Sequence, residues 1–268
     1  KNYQFRKQYG FNPFVPDLYG YGQTIHTSIA KLHQTFKNNP PTKEEAEIIT
    51  RETFHLKHVP PAKNPNTNPG PYERAIEKAV EVVSKYANDY GNEFSLERQI
   101  EVRFEIPANQ ALITGAIDLL IKEDKTGKIT DATVVDFKSL EKPDDDSVLD
   151  WTELSIQVQL YAKAAIDILG QNAKTGAVHL LRSNERINIP IDENSIKAAI
   201  SNIEWAVDRI LNRDFPMRPN KTKCESCDFK LLCSKKIQPF ISDYVPLAIN
   251  LPTSVNPNTS FIKAFSQI

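Results

Sequence analysis

The residues of this chain best suited to chemistry are two aspartates and a lysine on apolar, strand-like runs. One run is Gly115-Ala116-Ile117-Asp118. Eighteen residues after its aspartate comes Val134-Val135-Asp136-Phe137-Lys138, in which a lysine follows the acid two places on. Side chains alternate across a strand, so Asp136 and Lys138 leave one face while Val135 and Phe137 leave the other. Two carboxylates and an ammonium on neighbouring strands suit a divalent metal and an attacking water. Mg²⁺ and Mn²⁺ prefer hard oxygen ligands, and such an ion activates water and neutralises charge on a scissile phosphate. The bland alternative is a pair of surface acids at strand ends. The apolar setting argues against it, because a buried charge is costly unless it is paired or binds a metal. Lys138 would orient or deprotonate the water, or hold the phosphate; a salt bridge to Asp136 alone is the structural alternative.

Three further groups carry chemical signal. Cys224, Cys227 and Cys233 form a C-x2-C-x5-C, three soft ligands from one loop that suit a zinc ion or a [4Fe–4S] cluster. Either wants a fourth ligand, and the chain has no fourth cysteine. Gln157 and Tyr161 are one helical turn apart and share a face, where both could meet substrate phosphates or bases. Amphipathicity explains Tyr161 equally well. His26 sits at the edge of an apolar helical stripe, where a lone histidine is more often packed or solvated than a ligand. His33, His55, His58 and His179 belong to no motif and read as surface or core fillers.

The elements that must position these groups alternate from helical to stranded and back. Ile25, Ile29, Leu32 and Phe36 predict a helix over 22–38. Thr42, with Glu45 three residues on, predicts a capped helix running to His58 before Pro60-Pro61. A third helix is expected over 72–90. Strands follow at 97–106, 110–122 and 131–139, with a turn at Asp124–Gly127. A long helix over 150–169 should close at Gly170. A hairpin is expected from 176–182 and 186–191 about Ser183-Asn184-Glu185, then a helix over 193–213 and the cysteine segment. Strands between helices on both sides indicate one α/β domain around a mixed sheet. The expected domain spans 1–236, with the cysteine segment at 218–236 and an irregular, proline-bearing tail at 237–268.

Composition bounds the partners. The 268 residues carry a formal charge of −1 and a pI near 6.6, so nucleic-acid contact must use a local patch. Arg218, Lys221, Lys223, Lys230, Lys235 and Lys236 surround the cysteines against only Glu225 and Asp228, and Lys1, Arg6 and Lys7 lie among Tyr3, Phe5 and Tyr9. If the two ends meet, they make a basic, aromatic face fit for single-stranded DNA; a solvated charge run is the alternative. Asp144-Asp145-Asp146 reads as a solvated loop. No apolar run approaches the ~20 residues that span a bilayer, and few, clustered cysteines suit a reducing, cytoplasmic setting. The first residue is Lys1, which suggests a fragment.

In this order, the motifs resemble the RecB-type branch of the PD-(D/E)XK nucleases: a G-x-x-H-like Gly22–His26, G-h-h-D at Gly115–Asp118, h-h-D-h-K at Val134–Lys138, Q-x-x-x-Y at Gln157 and Tyr161, and the terminal cysteines. The resemblance implies a restriction-endonuclease-like fold and a Mg²⁺- or Mn²⁺-dependent deoxyribonuclease, an exonuclease by expectation. Its metal would be held by His26, Asp118 and Asp136, with Lys138, Gln157 and Tyr161 assisting. It also implies a [4Fe–4S] cluster on Cys224, Cys227 and Cys233, whose fourth cysteine would lie just upstream of Lys1 and staple the two ends together; zinc is the alternative. The implied parent is a UvrD-like, superfamily-one helicase of repair or recombination, although no Walker motif occurs here. A stand-alone CRISPR-associated-type exonuclease is the near alternative, and a non-catalytic DNA-binding or scaffold module the distant one. The expected substrate is DNA with single-stranded ends, with helicase domains in the same parent chain, no membrane, and a monomeric fragment.

Overall fold

A computed structural model of the protein describes residues 3–11, 19–122, 131–142, 151–216, 224 and 227–233. The expected turn at Asp124–Gly127, the triplet Asp144–Asp146, most of the basic residues around the cysteines and the tail after 236 lie outside them.

Three helices come first: α1 (Tyr21–Thr35), α2 (Lys43–Thr53) and α3 (Pro71–Asp89). Thr42 caps α2 as its sequence predicts: its hydroxyl accepts from the Glu45 N–H while the Glu45 carboxylate accepts from the Thr42 N–H. The helix ends five residues short of the expected His58. Phe54 turns extended there, and Phe54, Leu56 and Val59 are buried in the core beneath α1–α3, so tertiary burial overrides the helical pattern.

The sheet has five strands in the order β1 (Glu97–Ala108), β2 (Ala111–Lys122), β3 (Asp131–Lys138), β4 (Asn172–Leu180), β5 (Glu185–Ile189). All neighbours are antiparallel except β3 and β4, which run parallel and are joined through α4 (Trp151–Asp167). Gly170, at φ +62°, closes α4, and the Gln171 N–H reaches back to the Ala165 carbonyl. The β4–β5 hairpin begins and ends earlier than expected and turns through Asn184 at φ +56°. A last long helix, α5 (Glu193–Leu211), packs on α4.

The sheet separates two apolar cores. Leu119, Ile121, Val135 and Phe137 face α1–α3, while Ile117, Leu120, Val134 and Val178 share the second core with Val158, Tyr161 and Ala162 of α4. This mixed α/β sheet flanked by helices is the restriction-endonuclease-like arrangement that the sequence implies. Among the described residues no helix is long and apolar enough to cross a membrane.

Candidate metal centre

The acids sit where the sheet is interrupted. The β2–β3 ladder runs from Lys122 opposite Ala132 to Leu119 opposite Val135 and stops there. The next position in that register would set Asp118 opposite Asp136. Instead the Asp118 carboxylate accepts a hydrogen bond from the Phe137 N–H at 2.8 Å, and so stands in for a backbone carbonyl of the ladder. On the other side, β1 and β2 pair from Glu97 to Ala108 except at Glu101, the residue in register with Asp118. Glu101 has φ +51°, left-handed backbone that a glutamate adopts only under constraint. The strand changes layers at this kink: Ile100 packs into the first core, whereas Val102, Phe104 and Ile106 pack into the second. Glu101, Asp118 and Asp136 therefore occupy one register line across three adjacent strands.

Helix α1 brings a histidine to this line. Gly22 lies so close to the end of β3 that a Cβ on it would meet the Ser139 hydroxyl at 3.2 Å. Its missing side chain lets the start of α1 settle there, and one turn later His26 Nδ1 lies 3.5 Å from Asp118 Oδ2, its ring edge-on to Phe137. His26, Glu101 and Asp118 each offer a ligand atom within 4.8 Å of the other two. Donors spaced in this way fit a cation held at ~2.0–2.6 Å from each. Asp136 is not in that set; its fully buried carboxylate is engaged by Lys138. The ammonium lies 3.0 Å from Oδ1 with hydrogen-bond geometry and 2.8 Å from Oδ2 without it, so Oδ2 is left with no hydrogen-bond donor. A buried carboxylate oxygen without a donor is costly, and a nearby divalent cation would satisfy it. The residues present therefore fit a Mg²⁺ or Mn²⁺ ion.

The electrostatics agree with that fit. Burial pushes the Asp136 carboxyl up to about 6, Lys138 pulling it down and Asp118 pushing it further up. Burial lowers His26, but the Asp118 hydrogen bond and the charges of Asp118 and Asp136 outweigh it and hold the imidazole above its ordinary value. Burial and Asp118 raise Glu101 as well. Negative charge is crowded here, and each acid disfavours ionisation of its neighbours.

Gln157 and Tyr161 lie behind the lysine. Lys138 Nζ donates to Gln157 Oε1 at 2.8 Å, and Gln157 Nε2 donates to the Tyr161 hydroxyl at 2.8 Å. Tyr161 is 4% exposed and packs edge-on against Phe104, so it faces the core and not an incoming substrate. The pair shares a face as its spacing predicts, and that face holds Lys138. Phe104 in turn lies over Gly115, where a Cβ would come 2.6 Å from its ring.

Cys224, Cys227 and Cys233 are half-buried and form no disulfide, and they are well separated in sequence from the acid line. The N-terminal segment packs on their segment: Phe5 stacks on Phe229 at 5.4 Å, Tyr3 on Phe215 at 5.7 Å, and Arg6 pairs with Asp228 at 3.2 Å. The two ends thus meet. His33 and His179 are buried within a polar network, and His179 lies against the ring of Phe137, its ladder partner in β3.

Sequence reasoning missed Glu101. It alternates with Glu97, Gln99, Arg103 and Glu105 as one more outward polar residue of β1, and a positive φ leaves no trace in a glutamate. The only available signal was the register, in which Glu101 falls opposite Asp118.

A model of the PD-(D/E)XK nuclease superfamily matches residues 2–234. No curated protein matches the chain. Among solved structures, SSO0001 is similar at 18% identity and a TM-score of 0.39, over 80% of this chain and 86% of that one. A "Putative exonuclease" from Eubacterium rectale is similar at 15% identity and a TM-score of 0.41, over 89% of this chain and all of that one.

Proposed function

The chain belongs to the PD-(D/E)XK nuclease superfamily, and from that premise we propose that it is a metal-dependent deoxyribonuclease that hydrolyses phosphodiester bonds, acting as an exonuclease. The observation that carries this reading is the line of Glu101, Asp118 and Asp136 at the interrupted ladders, with His26 on one side and Lys138 on the other. Asp118, Asp136 and His26 would hold Mg²⁺ or Mn²⁺, and Glu101 joins them as a fourth donor. A bound divalent ion supplies Lewis acidity toward the phosphate and lowers the pKa of water.

The protein's own groups do the rest. Lys138, aimed by Asp136 and Gln157, presents its ammonium at the mouth of the acid line, where it orients the attacking water and offsets charge on the phosphate. Gln157 and Tyr161 act as positioning residues, because their polar atoms are spent on Lys138 and on each other. Phe137 contributes its backbone N–H, which fixes the Asp118 carboxylate so that it need not reorganise.

The cysteines serve structure in this reading. The contacts of Tyr3, Phe5 and Arg6 with Phe215, Phe229 and Asp228 support a [4Fe–4S] cluster that staples the ends of a 1–236 domain, with a fourth cysteine upstream of Lys1. The parent is then a UvrD-like helicase–nuclease. Iron and sulfide analysis of the parent protein tests this, and stoichiometric zinc without sulfide would sink it.

A cleavage assay on single-stranded DNA with Mg²⁺ or Mn²⁺ tests the main proposal. Asp136→Ala and Lys138→Ala should each abolish cutting in a folded protein, as should EDTA. Robust cutting by Asp136→Ala, or in EDTA, would refute the mechanism.

A further inference from the structure

Beside the acid line a cavity of about 560 Å³ opens between α1, α2 and the β1–β2 pair, and His26, Glu101 and Asp118 are among its walls. That volume is in the range of ligand-binding clefts. Much of the remaining wall comes from one stripe of α1. Gln23, Thr27, Lys31 and Gln34 recur at intervals of three and four residues, so they stack along one face of the helix. All four are exposed, while Ile25, Ile29 and Leu32 bury the opposite side in the first core. Ala30 lines the cavity from within the same stripe, its small side chain leaving room above it.

The chemistry of this stripe is not that of an ordinary solvated face. Its neutral donors are the amides of Gln23 and Gln34, which donate hydrogen bonds to anionic and sugar oxygens, while the Thr27 hydroxyl donates to the Gln23 carbonyl and offers its oxygen as an acceptor. Its one charge is the Lys31 ammonium, which enters no ion pair among the described residues. Lys31 is five residues beyond His26, about 7.5 Å along the helix axis. An unpaired cation and neutral donors thus lead away from a cluster of acids suited to a divalent metal. One row of donors along a single helix follows one backbone, which suits a single strand.

We propose that the α1 stripe seats the nucleotides flanking the scissile phosphate of a single DNA strand, with Lys31 against an internal phosphodiester. The inference rests on the nuclease reading above and adds the path of the substrate to it. Lys31 touches no reacting atom, so its effect falls on binding.

The test measures binding of a fluorescein-labelled single-stranded DNA oligonucleotide to this chain in the Asp136→Asn background, which spares the DNA, across a range of NaCl. Lys31→Glu should weaken binding about tenfold and reduce the slope of log affinity against log salt by about 0.7, the value for one phosphate contact on a single strand. Lys78→Glu, the same charge change on α3, should do neither. In the cutting-competent chain, Lys31→Gln should raise KM and leave kcat within about twofold. Gln34→Glu provides a second, independent reading of the same stripe. Cleavage by the wild type with unchanged binding by Lys31→Glu overturns this inference and leaves the nuclease reading standing. Losses confined to oligonucleotides bearing a 5′-phosphate also overturn it, because Lys31 would then read a strand end. A wild type that cuts no DNA with Mg²⁺ or Mn²⁺ removes both.

Discussion

At the scale of residues, the site is a set of acids that carry too much negative charge for the space they occupy. Asp136 is buried and raised to about 6, and His26 is held above its ordinary value by Asp118 and Asp136 once burial has pulled it down. Both bind protons that a divalent cation must displace. Metal affinity should therefore climb as pH rises through about 6, where Asp136 gives up its proton, and further as His26 loses its own, with release of about one to two protons per ion near pH 6. Calorimetric titration of Mn²⁺ in buffers of different ionisation enthalpy reads this number directly. Asp136→Asn should lower it, since one of the two displaced protons is then gone. A proton count of zero at pH 6 would show that neither group faces the metal.

At the scale of elements, the site depends on how closely β1, β2 and α4 approach. Gly115 is paired with Phe104 across the β1–β2 ladder, and the Phe104 ring covers it. The same ring packs on Tyr161, which holds Gln157, which holds Lys138. A methyl group at position 115 must displace the ring, because 2.6 Å is below any van der Waals contact. Gly115→Ala should cost about 1–3 kcal/mol of stability, the usual range for overpacking. It should also lower kcat more than it raises KM, because the shift passes through Tyr161 to the lysine. Denaturant unfolding and steady-state kinetics on the same preparation check both parts. Restoring stability with Phe104→Leu in the Gly115→Ala background should recover much of the fold without fully restoring kcat, since Tyr161 would lose its aromatic support.

At the scale of the whole molecule, a buried polar network ties α1, α3, β1, β4 and β5 together. Arg98 donates to His33 Nδ1, His33 Nε2 meets the Tyr86 hydroxyl, and Tyr86 reaches Glu93, which pairs with Arg186. His179 is joined to Asn184, and through it to Asp89. Burial, aided by Arg98 and Arg186, lowers His33 to about 3; burial, aided by Arg186, does the same to His179. Both rings are thus neutral in the folded chain and take up protons on unfolding below about 6.5. The unfolded state then holds more protons, so stability falls as pH drops through 6.5 toward 4.5. Each histidine contributes a slope of about 1.4 kcal/mol per pH unit. Asp136, whose folded pKa is raised, works in the opposite direction between its unfolded value and about 6 and cancels the equivalent of one proton. From the two histidines and Asp136 the expectation is a loss of up to about 1.4 kcal/mol per pH unit, reduced by Glu101, whose raised carboxyl works in the same direction as Asp136, and larger in Asp136→Asn. Urea denaturation of the metal-free protein at pH 7.5, 6 and 5 measures it, and a flat profile would contradict the burial of these histidines.

Local rules determined much of this protein from its sequence. Strand alternation puts Asp136 and Lys138 on one side, where the ammonium meets the carboxylate, and Val135 and Phe137 on the other, where both enter the first core. The spacing of Thr42 and Glu45 specifies a capping box, and the order of helices and strands follows from periodicity. These features depend on neighbours within a few residues, so the chain carries them openly. Other features were decided only by the tertiary structure. The Q-x-x-x-Y spacing identifies a shared face but not that Tyr161 turns inward and Gln157 spends both ends of its amide on Tyr161 and Lys138. His33 and His179 look like fillers until α3, the short helical turn after it and β5 bring Tyr86, Glu93 and Arg186 into one network with them. Glu101 reads as one more outward acid on β1, and only the pairing of β1 with β2 sets it beside Asp118 in a left-handed backbone. In each case the deciding energy is between residues distant in the chain: packing, ladder register and desolvation arise only once the strands and helices have closed on one another.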